Sequence, residues 1–150
     1  MNENVYHYTE CGLSNIYLIN GYKLVETSQG NAVSINDIDG LHKAIGMFLV
    51  HSKKDFYGDE IRFLRHEMLI SQATLADLLG VSEQTVRRWE NNKINIPKPS
   101  ESLLRLLYLE KINNRHGKIS KILSEIANLE DQINNKKMLF EDTSKGWKAA

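Results

Sequence analysis

Ser71-Gln-Ala-Thr-Leu-Ala-Asp-Leu-Leu-Gly-Val-Ser-Glu-Gln-Thr-Val-Arg-Arg-Trp-Glu90 reads as two short helices joined by a tight turn. Ser71 is a good N-cap, because its hydroxyl can accept from an orphan backbone N–H of the first turn. Leu75, Leu78 and Leu79 recur at i, i+3 and i+4 and make one apolar stripe. Ala76 lies beside that stripe, where a small side chain lets another helix approach. Gly80 suits the left-handed conformation that ends a helix. Val81 can pack inward and Ser82 caps the second helix, in which Val86 and Trp89 are three apart and share an inward face.

Two helices around a short glycine-containing turn are the helix-turn-helix signature, whose second helix lies in the DNA major groove. The outward residues suit that task. Gln72, on the first turn of the first helix, can meet a phosphate with its amide and the helix N-terminus. Gln84 is the best base reader, since a glutamine amide pairs bidentately with adenine. Arg87 and Arg88 can fork onto guanine or clamp phosphate. Thr85 can offer its methyl to thymine or its hydroxyl to the backbone, as can the Ser82 hydroxyl. Asn91, Asn92 and Lys93 follow as candidate backbone contacts. Singly, each of these polar residues reads as part of a solvated helix face. Jointly, the caps, the turn and the apolar spacing point to nucleic acid.

The stretch from about Gly58 to Leu109 resembles the helix-turn-helix domain of lambda-repressor-like, or XRE, regulators. Ser71-Gln72, Leu75-Ala76, Leu79-Gly80-Val81-Ser82, Thr85-Val86 and Arg88-Trp89-Glu90 carry the resemblance. It implies a five-helix bundle with the helix from Ser82 in the major groove. Gly58–Met68 would be its first helix, with Ile61, Leu64, Arg65 and Met68 near one face, and Ser100–Ile112 its closing helix. Leu103, Leu104, Leu106, Leu107 and Leu109 give that last helix more apolar surface than one stripe needs, so it should also meet another chain or the N-terminal region. A second resemblance, to regulators related to MqsA-type antitoxins, rests on Tyr6-His-Tyr-Thr-Glu-Cys-Gly-Leu13, Asn15-Ile-Tyr-Leu-Ile-Asn-Gly21, Ile38-Asp-Gly-Leu-His-Lys-Ala-Ile45, Glu60-Ile-Arg-Phe-Leu-Arg65 and Gly146-Trp147. It implies repression of a toxin–antitoxin operon. The better-known members hold a structural zinc on paired cysteines. Here Cys11 is the only cysteine, so a four-ligand cysteine site within one chain is excluded.

Composition sets the frame. The chain has 150 residues, 41% hydrophobic and 25% charged, enough for one substantial domain and a smaller appendage. No run of about 18 apolar residues occurs, and Met-Asn-Glu-Asn lacks the basic-then-apolar order of a signal peptide, so the expectation is the cytoplasm and no membrane. Zero net charge argues against a nonspecific polyanion binder but averages over uneven regions. Residues 1–57 hold four Lys/Arg against six Asp/Glu, residues 58–113 eight of each, and residues 114–150 seven against five. A site-specific binder needs only a local basic face, which Arg87, Arg88, Lys93 and Lys98 against Glu90 would supply.

The flanks differ in kind. Ile16–Ile19 and Tyr22–Val25 flank Asn20-Gly21, a dipeptide favoured in two-residue hairpin turns. Gly30-Asn31 marks a second turn and Ala32–Ile35 a third short strand. Asn36 or Ser34 would cap a helix running to about His51, with Ile38, Leu41, Ile45, Phe48 and Leu49 as its apolar face. Ser52-Lys-Lys-Asp55 would link it to the next unit. This module reads equally as an interaction or dimerisation unit and as a stabilising appendage. Toward the C-terminus, Ile119, Ile122, Ile126, Leu129 and Ile133 alternate three and four apart like a coiled-coil seam, flanked by Lys118, Lys121, Glu125, Glu130, Asp131, Lys136 and Lys137. That helix either packs on its own bundle or pairs with a second chain. After Phe140 the tail Glu141–Gly146 looks flexible, with Trp147 free to dock on a partner.

Catalysis finds little support. His7, His42, His51, His66 and His116 show no metal-ligand spacing, His7 and Cys11 have no third orienting group, and no glycine-rich phosphate loop occurs. The expected fold is α+β, mostly α: a β-hairpin-and-helix module over residues 1–55, a five-helix DNA-binding domain over 56–113, and an amphipathic helix with its tail over 114–150. The expected function is a dimeric transcriptional repressor on a palindromic operator of double-stranded DNA, its own operon included. The alternative is an antitoxin that neutralises a protein toxin. No enzyme activity, cofactor or metal is expected.

Overall fold

The computed structural model describes residues 5–113, 117–129 and 137–150. Its elements are β1 (Tyr6–His7), β2 (Tyr17–Leu18), β3 (Tyr22–Thr27), β4 (Gly30–Ile35), α1 (Ile38–Ser52), α2 (Gly58–Glu67), α3 (Gln72–Leu79), α4 (Glu83–Glu90), α5 (Lys98–Ile112), α6 (Lys118–Ala127), β5 (Phe140–Thr143) and β6 (Gly146–Ala149). The class is α+β: among the described residues there are six helices and three antiparallel two-stranded sheets, β1–β2, β3–β4 and β5–β6. Residues 58–112 hold four helices, α2 to α5, and α6 packs against α3 and α5 from outside that span. Glu130, Asp131, Ile133, Lys136 and His116 lie outside the described residues.

The expected hairpin around Asn20-Gly21 does not form. β2 instead pairs back onto β1, with Tyr6 opposite Leu18 and His7 opposite Tyr17. This pairing stacks the His7 ring on Tyr17 at 4.4 Å and buries Tyr8, Leu13 and Leu18, which a local Asn-Gly turn would leave exposed. Gly21 becomes a corner whose carbonyl accepts from Asn36 N at 2.8 Å, closing the base of the β3–β4 hairpin. That hairpin turns at Ser28-Gln29, where Thr27 Oγ1 donates to the Gly30 carbonyl and accepts from Gln29 N. β5–β6 repeats the device: Thr143 Oγ1 donates to Gly146 O at 2.7 Å and accepts from Lys145 N at 3.2 Å. The tail expected to be flexible is therefore a hairpin, because the same Thr-Ser-x-Gly turn closes it.

The cap of α1 is Asp37, one residue after Asn36 and three after Ser34, the two expected caps. Asp37 accepts from Gly40 N through its side chain. Of the expected apolar face, Ile45 and Leu49 are buried and Leu41 is half-buried, while Ile38 and Phe48 are exposed. Val50 is buried in their place. The surplus apolar surface of α5 goes to α1 on one side and α6 on the other, with Leu104, Leu107 and Tyr108 buried and only Leu106 largely exposed. Gly46 permits the α1–α5 contact, since a Cβ there would sit 2.0 Å from the Tyr108 hydroxyl oxygen.

The link from α1 to α2 is held by side chains. Arg105 donates to the carbonyls of Leu49, Val50, Lys53 and Lys54, satisfying groups the end of α1 leaves open, and lies over the Phe56 ring at 4.1 Å. Buried Glu101 accepts from Phe56 N at 2.7 Å. A polar chain crosses the same junction: Tyr8 Oη and His42 Nε2 are 2.7 Å apart, and His42 Nδ1 and Glu67 Oε1 are 2.5 Å apart. With Nδ1–H donating to the carboxylate, Nε2 is left to accept from Tyr8. The buried apolar side chains run as one cluster from Tyr8 and Leu13 through α1 to Leu75, Trp89 and Tyr108.

Candidate nucleic-acid interface

The helix–turn–helix unit forms as its local chemistry dictates. Ser71 Oγ accepts from Thr74 N at 3.0 Å, capping α3. Gly80 takes φ 70°, the left-handed conformation that ends that helix, and Val81 N returns to Ala76 O. Ser82 Oγ then accepts from Thr85 N at 3.1 Å, capping α4. Leu75, Ala76, Leu79, Val86 and Trp89 are all buried, and Leu78 is half-buried.

With Val86 and Trp89 inward, helical geometry puts Gln84, Arg87, Arg88 and Asn91 on the opposite face, and all four are exposed. Arg87 reaches Glu83 at 3.5 Å, an exposed i, i+4 pair of little energetic weight. Among the described residues Arg88 has no acidic partner within ion-pair distance. Thr85 sits on the flank, half-buried, its hydroxyl 2.8 Å from that of Ser82. Ser82 and Lys93 are exposed, and Lys93 N bonds the Arg88 carbonyl.

Three residues stand differently from their sequence expectation. Gln72 is half-buried and donates its amide to Glu90 Oε1 at 3.1 Å. Asn92 takes φ 58° and accepts from Gly58 N at 2.8 Å, joining the end of α4 to the start of α2. Lys98 binds Glu101 at 2.7 Å and the Lys54 carbonyl at 2.9 Å, which ties it to the α1–α5 side.

Glu90 explains much of this. Its carboxylate is buried and takes a two-point contact from Arg65, Nε to Oε2 at 2.7 Å and Nη2 to Oε1 at 2.9 Å. Arg62 Nε lies 3.4 Å away and donates through Nη2 to Glu90 O and Asn91 Oδ1. Burial alone would push the Glu90 carboxyl up. The bonds from Arg65 and Gln72, with the charges of Arg65 and Arg62, outweigh it and hold the group below the usual carboxylate range. The last acid of α4 is thus neutralised inside, and the outer face loses a negative charge. Arg62 escaped the sequence reading, because its only signal is a nonlocal contact across 28 residues.

Elsewhere, His7 Nε2 bonds Ser14 O at 2.6 Å, and burial pushes the half-buried Cys11 thiol up, away from thiolate chemistry. Among the described residues no three His, Cys, Asp or Glu side chains converge as a metal would need. No helix among them is long and apolar enough to cross a membrane.

A family model described as helix-turn-helix matches residues 61–106, α2 to the first half of α5. No curated protein and no solved structure matches the chain. Match and geometry agree that residues 61–106 are similar to a helix-turn-helix domain.

Proposed function

We propose that the protein is a sequence-specific transcriptional repressor that binds a palindromic operator as a dimer, in the cytoplasm, and controls its own operon. The carrying observation is the outer face of α4: Gln84, Arg87, Arg88 and Asn91 exposed together, with Glu90 withdrawn into a buried pair. In this reading Gln84 and Arg87 read base edges, and Arg88, Thr85, Ser82, Asn91 and Lys93 engage the backbone. Gln72 braces Glu90 and sets the angle between α3 and α4 while meeting a phosphate at the α3 N-terminus. Residues 56–113 serve as the DNA-binding unit, 1–55 as an interaction module and 114–150 as the dimerising arm. Repression is steric, by occupation of promoter DNA.

A second reading, an antitoxin of the MqsA-related kind without zinc, draws on an open cleft of about 620 Å³ lined by Ile16, Tyr17, Leu18, Leu41, Phe48 and Lys53. Tyr17 and Phe48 are more than half exposed there, as a protein-binding surface would need.

The test is a gel-shift titration against the DNA upstream of the gene, with nonspecific competitor and two salt concentrations. A shift that survives competitor below micromolar protein is expected. Binding that vanishes under competitor would be the salt-sensitive, sequence-blind kind that phosphate contacts alone give, and would overturn autoregulation.

A further inference from the structure

α6 turns Ile119 and Leu123 toward the core, and its N-terminus is held by Glu110, whose carboxylate accepts from Ile119 N at 2.8 Å and from the Ser120 hydroxyl at 3.1 Å. This docking leaves Ile122 and Ile126 of α6, and Leu129 just past its end, 55%, 57% and 69% exposed. A single such residue would need no explanation, but a stripe does.

The β5–β6 hairpin carries a second exposed apolar set. Residues paired across an antiparallel ladder share a face, so Phe140, Asp142, Trp147 and Ala149 lie together, with Phe140 and Trp147 diagonal neighbours. The other face carries the Glu141–Lys148 ion pair. Met138, Leu139, Phe140 and Trp147 are all exposed. An isolated two-stranded hairpin is marginal in water and gains stability by covering such a face.

Charge indicates what covers the stripe. At 3.6 residues per turn, Lys118 and Glu125 fall on the edge of the stripe away from the core, with opposite signs one heptad apart. A second α6 running antiparallel sets Lys118 against Glu125 twice, once at each end. A parallel partner would set both against the Leu123 side, which already packs on its own chain.

We infer that the exposed stripe of α6, together with the apolar face of β5–β6, is the contact with a second copy of this chain, with the two α6 helices antiparallel. Six side chains take part, Ile122, Ile126, Leu129, Met138, Phe140 and Trp147, and covering them removes roughly 400–700 Å² per copy, approaching the ~800 Å² per partner of a standard interface. The contact is isologous. It deepens the proposed function, whose palindromic operator needs two copies, but can be tested without DNA.

Sedimentation equilibrium of the full chain, free of DNA, is the experiment. The wild type should run at twice its 17.2 kDa, and Ile122→Asp/Ile126→Asp at the single-chain mass with unchanged circular dichroism. Lys118→Glu alone and Glu125→Lys alone should each weaken the dimer, roughly five- to twentyfold, because each turns two attractive pairs repulsive. The double exchange should restore it. A wild type that stays monomeric at tens of micromolar, a dimer indifferent to the isoleucine changes, or a double exchange weaker than either single change overturns the inference. None of these outcomes bears on whether α4 reads DNA, and failure to bind an operator would leave the measured mass unchanged.

Discussion

Replacing Glu90 by Ala should cost far more stability than its place at the end of a surface helix suggests. The wild-type carboxylate is fully buried and receives Arg65 through two bonds of 2.7 and 2.9 Å and Gln72 through one of 3.1 Å. Arg65 is itself only 10% exposed. The change leaves a buried guanidinium with no counter-charge in contact, keeping only a 3.1 Å bond to Ile70 O and a 3.3 Å contact to the His66 ring. Breaking a buried pair in this way costs about 3–5 kcal/mol. For a chain of this length that is a fall in Tm of roughly 6–20 °C. Urea unfolding followed by tryptophan fluorescence measures the loss, and Arg65→Leu/Glu90→Leu provides the control. With both charges gone, the double variant should lose less than Glu90→Ala alone. A loss under about 1 kcal/mol for Glu90→Ala, typical of an exposed pair, would falsify the burial argument.

Gln84→Ala with Arg87→Ala should abolish specific DNA binding while leaving the thermal midpoint unchanged, since both side chains are exposed; each lost bidentate contact costs ~1–3 kcal/mol of discrimination. Ser82→Ala removes the α4 cap and should cost about 0.5–2 kcal/mol in chemical denaturation, whereas Ser82→Asp should be nearly neutral. Acid should destabilise the fold through Glu90 and Glu101. For Glu101 burial pushes up, but Lys98, Phe56 N and Arg105 together bring the carboxyl below its usual range. Both depressed groups contribute stability above their unfolded value near 4.5, and lose it as pH falls through the lower folded values. Glu60, raised by burial, works in the opposite sense, so Glu60→Gln should steepen the acid loss in a pH-dependent melt. At the alkaline end burial lifts the Tyr108 phenol from 10.0 to about 12, so stability should fall as pH rises between those values. Tyr108→Phe should flatten that limb, and its cost at neutral pH should be small because the buried hydroxyl has no partner among the described residues.

The helix-turn-helix unit was legible because its determinants are local. Ser71, Gly80 and Ser82 act within three or four residues, and the stripe from Leu75 to Trp89 follows helical spacing. The N-terminal strands were misplaced because Asn20-Gly21 is a strong local turn signal, yet burying Tyr8 and Leu18 through a β1–β2 pair outweighs it. The turns actually used, Thr27-Ser-Gln-Gly30 and Thr143-Ser-Lys-Gly146, were legible only as a repeated Thr-Ser-x-Gly. At the candidate interface, the outward set Gln84, Arg87 and Arg88 could be read from periodicity. The inward turn of Gln72 and Glu90 could not, because it depends on Arg65 lying 25 residues from Glu90 in sequence. Lys98 was assigned to the basic face by proximity in sequence, but Glu101 and the Lys54 carbonyl hold it elsewhere.

The central claim, that the outer face of α4 reads DNA sequence, is tested most directly by selecting bound duplexes from a random pool, with wild type and Gln84→Ala/Arg87→Ala side by side. The expected result is enrichment of one palindromic sequence by the wild type and of none by the variant. A pool that stays random through repeated rounds with the wild type, or the same sequence enriched by both proteins, would contradict the account.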